Sequence, residues 1–161
     1  MKKTLVCTDG SSFAEKSYYY CSWLAHRLSA EVSVLFVTDI HSQKVVSTGN
    51  LSGSIGIGSS QDLLNKLVDL EHEKAKINNQ RAKFILEKAE KILSNTGLQA
   101  INLIHKTGFL VDCFYEFYVD DHSIHLLVMG AYGHSRIRHL VIGSTTAQML
   151  RASDIPVLLY R

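Results

Sequence analysis

Short β-prone runs alternate along the chain with segments in which apolar residues recur at helical spacing. The β-prone runs cover residues 4–8, 32–37, 101–104, 124–129 and 157–160. The helical segments cover residues 14–28, 61–95, 111–118 and 144–151. The second run is nearly continuous in apolar character, as is typical of a strand buried on both faces of a parallel sheet. The alternation predicts an α/β fold: a single-domain, open, five-stranded parallel sheet with helices on both faces.

Two features of the sequence indicate where helices begin and end. Ser12 and Glu15 have the spacing of a capping box, which predicts the start of the first helix. Gly97 is placed to end the long helical segment 61–95. Because residues 71–81 are mostly polar, this segment is either two helices or one long helix with a solvated middle.

The stretch between the second strand and the long helical segment has no periodicity. Residues 41–60 are rich in Ser and Gly, and we expect them to form a mobile loop inside one domain, 1–161. The strands before and after this loop must share one sheet, so the loop is not a linker between domains. Residues 48–60 are expected either to become ordered over a bound ligand, as a lid, or to stay solvated as an insertion.

Composition places the chain among ordinary soluble proteins. Of its 161 residues, 46% are hydrophobic and 20% are charged, and the net charge is +2. This balance argues against a nucleic-acid partner, and no apolar stretch approaches the roughly 20 residues that a membrane span needs. Three widely spaced cysteines do not resemble a disulfide framework, which favours a reducing compartment. We therefore expect a cytoplasmic protein.

Glycine and hydroxyl residues cluster where the predicted sheet would bind a ligand. In open parallel sheets, ligands bind beyond the carboxyl ends of the strands, near the point where strand order reverses. The segments at such ends are 8–11, 37–39 and 130–133. Gly130 allows close approach to the backbone, and Gly143 opens a helix whose N–H groups attract an anion. These features suit a phosphate-bearing ligand, although turn glycines and an ordinary helix cap would give the same pattern.

Other candidate motifs are weaker. The glycines of residues 53–58 resemble a dinucleotide fingerprint, but they neither follow a strand directly nor open a helix promptly. His122 and His125 have ligand spacing but no third ligand, so we predict no metal site. Ser11 and Ser12 lack a His and carboxylate pairing that would make a hydrolase. Three basic residues lie between the glycines: Arg136, Arg138 and His139. They either belong to a solvated basic loop or neutralise the phosphates of a ligand.

The spacing Gly130-x2-Gly133-x9-Gly143-Ser144 resembles the nucleotide-binding signature, G-x2-G-x9-G-S/T, of the universal stress protein family. The first strand with its Asp-Gly-Ser turn, the fourth strand and the closing strand also resemble that family. The resemblance therefore runs end to end, apart from residues 41–60. It implies a Rossmann-like fold similar to that of the adenine-nucleotide alpha-hydrolases, a homodimer paired through the last strand, and binding of ATP or another adenine nucleotide.

The resemblance also implies a role for each matching residue. Asp9 would accept hydrogen bonds from the ribose hydroxyls, Val37 would face the adenine, and Met129 would pack beside it. Gly130 would pass close to the ribose and phosphates, and the remaining positions would cradle the phosphates: Gly133, Gly143, Ser144 and Thr145. Cys7 stands where the family often has Pro beside the adenine, and a small apolar residue can fill that role.

The resemblance implies a stress-response signalling module rather than a dedicated enzyme. The sequence has no Walker lysine, and no residue in it is identifiable as a general base. Slow ATP hydrolysis is therefore not predicted from any particular residue. A nucleotidyl-transferring or hydrolysing enzyme on this fold should keep a His or Lys at the first turn, which here is Asp9-Gly10-Ser11-Ser12. A nucleotide-free dimeric scaffold is the third alternative. The preference among ATP, ADP and AMP stays open, as does Mg²⁺ bound with the nucleotide.

Overall fold

The five predicted strands form one parallel sheet. The computed structural model describes residues 2–39, 59–121, 124–131 and 143–160. Its strands are β1 Lys2–Thr8, β2 Ala30–Asp39, β3 Ile101–Gly108, β4 Ile124–Gly130 and β5 Val157–Tyr160. They lie in the order β3-β2-β1-β4-β5, and every neighbouring pair is parallel. The predicted α/β architecture is confirmed, and the order reverses between β1 and β4.

In the part of the chain that the structure describes, four helices connect the strands, each close to its predicted segment. They are α1 Ser12–Leu28, α2 Ser59–Asn95, α3 Leu110–Asp121 and α4 Ser144–Ala152. The long polar-centred segment is therefore one continuous helix of 37 residues. It ends ahead of Gly97, whose N–H donates to the Ser94 carbonyl at 2.9 Å, as its placement predicted.

The predicted capping box at the start of α1 is wrong by one residue. The N-cap is Ser11, whose Oγ accepts from the Ala14 N–H at 3.2 Å. Asp9 Oδ1 accepts from the Ser11 N–H at 2.8 Å, and this turn starts the helix one residue early. Glu15 does not reach back to the cap, because its carboxylate pairs with Lys88 Nζ of α2 at 2.5 Å.

Two apolar layers cover the two faces of the sheet. Because side chains alternate along a strand, β1 contributes Val6 to the layer under α1 and α2 and Leu5 to the layer under α3 and α4. The first layer is closed by helix residues such as Tyr18, Ala89 and Leu93. The second is closed by Phe114 and Met149. Each fully buried large side chain contributes about 1.5–3 kcal/mol to folding.

Several predicted features lie outside the described residues. The Ser/Gly-rich loop 41–60 does so except for Ser59 and Ser60, which begin α2. The same holds for His122 and for four positions of the segment between β4 and α4: Gly133, Arg136, Arg138 and His139. Among the helices that the structure describes, none is long and apolar enough to cross a lipid bilayer.

Candidate functional site

The reversal of strand order brings the candidate residues to one edge of the sheet. Val6 of β1 is paired with Val34 of β2 on one side and with Val128 of β4 on the other. The carboxyl ends of these three strands therefore lie side by side. Parallel sheets bind ligands at such an edge because the chains leaving β1 and β4 run to opposite faces and leave a crevice between them.

The turn after β1 holds a carboxylate at this edge. Asp9 is exposed, and its Oδ1 accepts from the Ser11 N–H at 2.8 Å. Gly10 has φ +76, a backbone conformation that L side chains rarely adopt. A Cβ at Gly10 would also lie 2.6 Å from Ile85 Cδ1 of α2. Both the turn and its contact with α2 thus require glycine, and they position Asp9 beside the crevice.

An apolar wall lies on the α3 and α4 side of the crevice. Cys7 and Met129 are buried in one cluster, and half-buried Val37 packs against it. Burial raises the pKa of the Cys7 thiol from 9.0 to about 12. The side chain is therefore a neutral thiol and acts as a small apolar group. The structure thus brings together three residues that the family resemblance places beside adenine.

The end of β4 is joined to the start of α4 by two hydrogen bonds. The Gly143 N–H donates to the Ala131 carbonyl at 3.1 Å, and Thr146 Oγ1 donates to the Gly130 carbonyl at 3.0 Å. Gly143 is the N-cap of α4, and without a side chain it makes no side-chain cap bond. The first N–H groups of a helix have no intrahelical acceptor, so this helix start carries donors and a positive dipole end.

Thr146 is a site residue that the sequence analysis missed. Of the predicted hydroxyls, Thr145 is exposed, whereas Thr146 is 4% exposed and bonded to β4. The signal was its spacing, since Thr146 and buried Met149 lie three residues apart on the face that α4 turns to the sheet. Thr146 therefore fixes how the helix start meets Gly130.

A buried polar network supports the same edge from the α1 side. The Thr8 and Tyr18 hydroxyls are 2.5 Å apart, and the Gly10 N–H donates to Thr8 Oγ1 at 3.2 Å. Burial raises the pKa of Tyr160 to about 12; a hydrogen bond with Ser17 opposes this rise, and the Asp9 carboxylate adds to it. Burial also raises the pKa of Tyr18. Both phenols are therefore neutral hydrogen-bonding groups.

The remaining candidates are placed only in part. Ser144 begins α4, and Gly133 lies outside the described residues. His125 Nδ1 accepts from the Lys3 N–H at 3.2 Å, a structural bond between β4 and β1. Within the described ranges, no group of three or more His, Cys, Asp or Glu side chains could hold a metal ion.

Comparison with known proteins adds four findings. The sequence model described as the universal stress protein family matches residues 116–161. A universal stress protein of Synechocystis sp. is 32% identical, with 100% of each chain covered. Among solved structures, a universal stress protein in complex with cAMP has a TM-score of 0.64 at 19% identity, covering 99% of this chain and 96% of that one. A universal stress protein of Archaeoglobus fulgidus in complex with dAMP has a TM-score of 0.57 at 16% identity, covering 100% and 98%.

Proposed function

This chain belongs to the universal stress protein family, and from that membership we propose that it binds an adenine nucleotide, ATP in the first instance, at the carboxyl edge between β1 and β4. The bound nucleotide would make it a stress-response signalling module. We assign no catalytic step to any residue. A cytoplasmic location, expected from the cysteines, stays a prediction.

One observation carries the proposal: three kinds of chemistry meet where the strand order reverses. The apolar wall of Cys7, Val37 and Met129 suits a planar base. A carboxylate accepts several hydrogen bonds at once, so the Asp9 carboxylate, which accepts from the Ser11 N–H, suits a ribose diol. The start of α4 at Gly143 offers N–H donors and a dipole to phosphate. We assign base, ribose and phosphate to these groups in that order.

The choice of ligand has two sources of support. The related structures with cAMP and dAMP support an adenine base with at least one phosphate. The spacing of Gly130, Gly133 and Gly143 supports the longer phosphate chain of ATP. Mg²⁺ would enter with the nucleotide, bound mainly by its phosphates and water. ADP, AMP and cAMP are the competitors that a titration must include.

The substitution Asp9→Asn tests whether Asp9 binds the ribose, with isothermal titration calorimetry of ATP and Mg²⁺ as the measurement. The amide oxygen can still accept from the Ser11 N–H, so the turn survives, but the charged acceptor is lost. We expect affinity to fall about tenfold or more, since hydrogen bonds to charged groups contribute about 1.5–3 kcal/mol. Asp112→Asn, an exposed carboxylate in the first turn of α3, is the matched control and should bind normally. Equal affinity for both variants would contradict the assignment of Asp9.

Gly130→Val tests the close approach at the end of β4. A Cβ at Gly130 would lie 3.7 Å from the Tyr160 ring, an ordinary contact, so Gly130→Ala should fold normally and serve as control. The branched Val side chain should fill the space through which ribose and phosphate approach, and we expect ATP binding to be lost. If a folded Gly130→Val protein bound ATP as the native chain does, the site would lie elsewhere.

We also propose a homodimer that pairs through the last strand. β5 is at the edge of the sheet and its four residues are only half-buried. An edge strand of this kind offers unpaired backbone groups to a second copy across a two-fold axis. A charge at Val157 or Leu159 should weaken the dimer in analytical ultracentrifugation, with circular dichroism to check folding. A native protein that stayed monomeric at micromolar concentration would contradict this pairing.

A further inference from the structure

Among residues 65–95 of α2, whose side chains the structure describes, only the C-terminal part packs against the sheet. Its buried residues follow helical spacing: Ala82, Ile85, Leu86, Ala89 and Leu93. From residue 65 to residue 81 no side chain is buried, and only Lys74 and Asn78 are half-buried. At 1.5 Å per residue this part of the helix is about 25 Å long. Helices of ordinary composition need tertiary packing to be stable in water, so a partner for this part would stabilise it.

The projecting part carries a regular apolar seam. Leu70, Ile77 and Phe84 are spaced by seven residues, and Leu67 lies three residues before Leu70. Their exposed fractions are 51%, 63%, 68% and 42%. Phe84 lies two positions from buried Ala82, which is about 200° around the helix. Phe84 therefore faces away from the core, and all four seam residues are exposed. Their spacing is that of inner positions in a coiled coil.

Charge along this part of the helix is divided into two blocks. Residues 66–73 hold three acids and one base: Asp69, Glu71, Glu73 and Lys66. Residues 74–83 hold four bases and no acid: Lys74, Lys76, Arg81 and Lys83. The intrahelical ion pairs Lys74–Glu71 at 3.5 Å and Lys83–Glu87 at 3.8 Å are exposed. Exposed pairs contribute little, so these groups can exchange partners at low cost.

We propose that the seam of α2 (Leu67, Leu70, Ile77 and Phe84) packs against the same seam of a second copy as an antiparallel two-helix coiled coil. Antiparallel alignment sets the acidic block of each copy against the basic block of the other, whereas parallel alignment sets like charges together. The occupant of this surface is therefore another molecule of this chain. This interface is separate from the β5 edge, because α2 packs against β2 and β3 at the other end of the sheet.

The sequence also sets the register of this pairing. When the two antiparallel helices are aligned so that Leu67 of one copy faces Phe84 of the other, each facing pair of inner positions contains at least one apolar residue. The other facing pairs are Leu70 with Arg81 and Lys74 with Ile77. The aliphatic stems of Lys74 and Arg81 would cover the facing apolar residues while their charged ends reach outward. Arg81 then lies beside the acidic block of the other copy. Charged residues at inner positions of this kind select one register over others.

Sedimentation velocity of the full chain over a concentration series tests the seam. Ile77→Lys places a charge in the centre of the interface, and we expect self-association through α2 to weaken at least about tenfold. Val68→Lys is the matched control, because Val68 is 53% exposed on the same part of the helix but lies off the seam. Pairing through β5 is unaffected by either variant. If Ile77→Lys and Val68→Lys sediment alike, the seam is not an interface.

Cysteine cross-linking tests the orientation. The native cysteines Cys7, Cys21 and Cys113 are all buried, so introduced surface cysteines dominate the reaction. Leu70→Cys and Arg81→Cys are oxidised with copper phenanthroline, separately and as a mixture. Antiparallel pairing predicts a cross-linked heterodimer in the mixture and little cross-linking of either variant alone. Cross-linking of each variant alone, or none in any sample, overturns the proposal.

Discussion

At the scale of single residues, Thr8 joins the sheet to the turn that carries the candidate site. It is the last residue of β1 and is 8% exposed. Its hydroxyl lies 2.5 Å from the Tyr18 hydroxyl and accepts from the Gly10 N–H at 3.2 Å. One oxygen thereby satisfies a backbone donor of the turn and a phenol of α1. Buried groups of this kind are costly when their partner is removed.

Replacing Thr8 with Val keeps the shape and removes the hydroxyl. Tyr18 and the Gly10 N–H then lose their partner, and we expect the free energy of unfolding to fall by about 1–3 kcal/mol. Thr107→Val, at an exposed position of β3, should stay within about 0.5 kcal/mol of the native chain. Urea denaturation measures both. A Thr8→Val cost no larger than that of Thr107→Val would show that the network is not stabilising.

At the scale of elements, α1 ends in a conformation that its sequence does not favour. Ser29 has φ 50 and ψ 47, and its N–H donates to the carbonyls of Ala25 and His26. This left-handed conformation closes a helix well when the residue is glycine, since a Cβ in it costs about 1–2 kcal/mol. Ala30 begins β2 directly afterwards, so Ser29 is the single residue between the helix and the strand.

Ser29→Gly should therefore stabilise the protein. We expect the free energy of unfolding to rise by about 1 kcal/mol, the relieved strain being partly offset by the greater freedom of glycine in the unfolded chain. Ser29→Ala keeps the Cβ and should give no gain. Thermal or urea unfolding of the three proteins measures the difference. Equal stability of the Gly and Ala variants would mean that the turn is not strained.

At the scale of the whole molecule, the core holds several weak acids in their neutral form. Burial raises the pKa of Cys7 and of Cys21 from 9.0 to about 12, and that of Tyr160 from 10.0 to about 12. It also raises the pKa of Tyr18. In the unfolded chain these groups would ionise at their ordinary values. At alkaline pH the unfolded state thus binds fewer protons than the folded state.

The contribution of these thiols and phenols to stability should therefore be constant below about pH 9. It should fall as the pH rises from there toward 12. Each group ionised only in the unfolded chain adds a slope of about 1.4 kcal/mol per pH unit. The double variant Cys7→Ala, Cys21→Ala should show a shallower fall between pH 9 and pH 10, because the tyrosines ionise later. Urea midpoints at pH 7, 9 and 10 measure this. Parallel pH profiles for the variant and the native chain would contradict it.

Two proposed surfaces would determine the assembly state of the whole molecule. The β5 edge and the α2 seam are different surfaces, so the assembly state depends on both. If both pair, Ile77→Lys should reduce a larger assembly to the β5 dimer. A charge at Leu159 should leave α2 pairing in place. Ultracentrifugation of the two single variants and their combination separates the contributions.

The sequence by itself determined the local elements of this protein. Periodicity and residue type, which act over a few neighbouring residues, give the positions of the strands and helices and the end of α2 before Gly97. They also indicate the edge of the sheet at which the glycines lie. The resemblance to the universal stress protein family added the Rossmann-like fold and the assignment of Asp9 and Val37, whereas the order of the strands came from the structure. That assignment stays a prediction until a nucleotide is titrated.

Only the tertiary structure decided what depends on contacts distant along the chain. Glu15 pairs with Lys88 of α2 instead of completing a capping box. Thr146 differs from its exposed neighbour Thr145 in that it is buried and donates to the Gly130 carbonyl. The seam of α2 is visible as spacing in the sequence, but its exposure depends on where the core lies. Each case has the same physical reason: burial and hydrogen-bond partners are set by which elements meet, and local propensity does not contain that information.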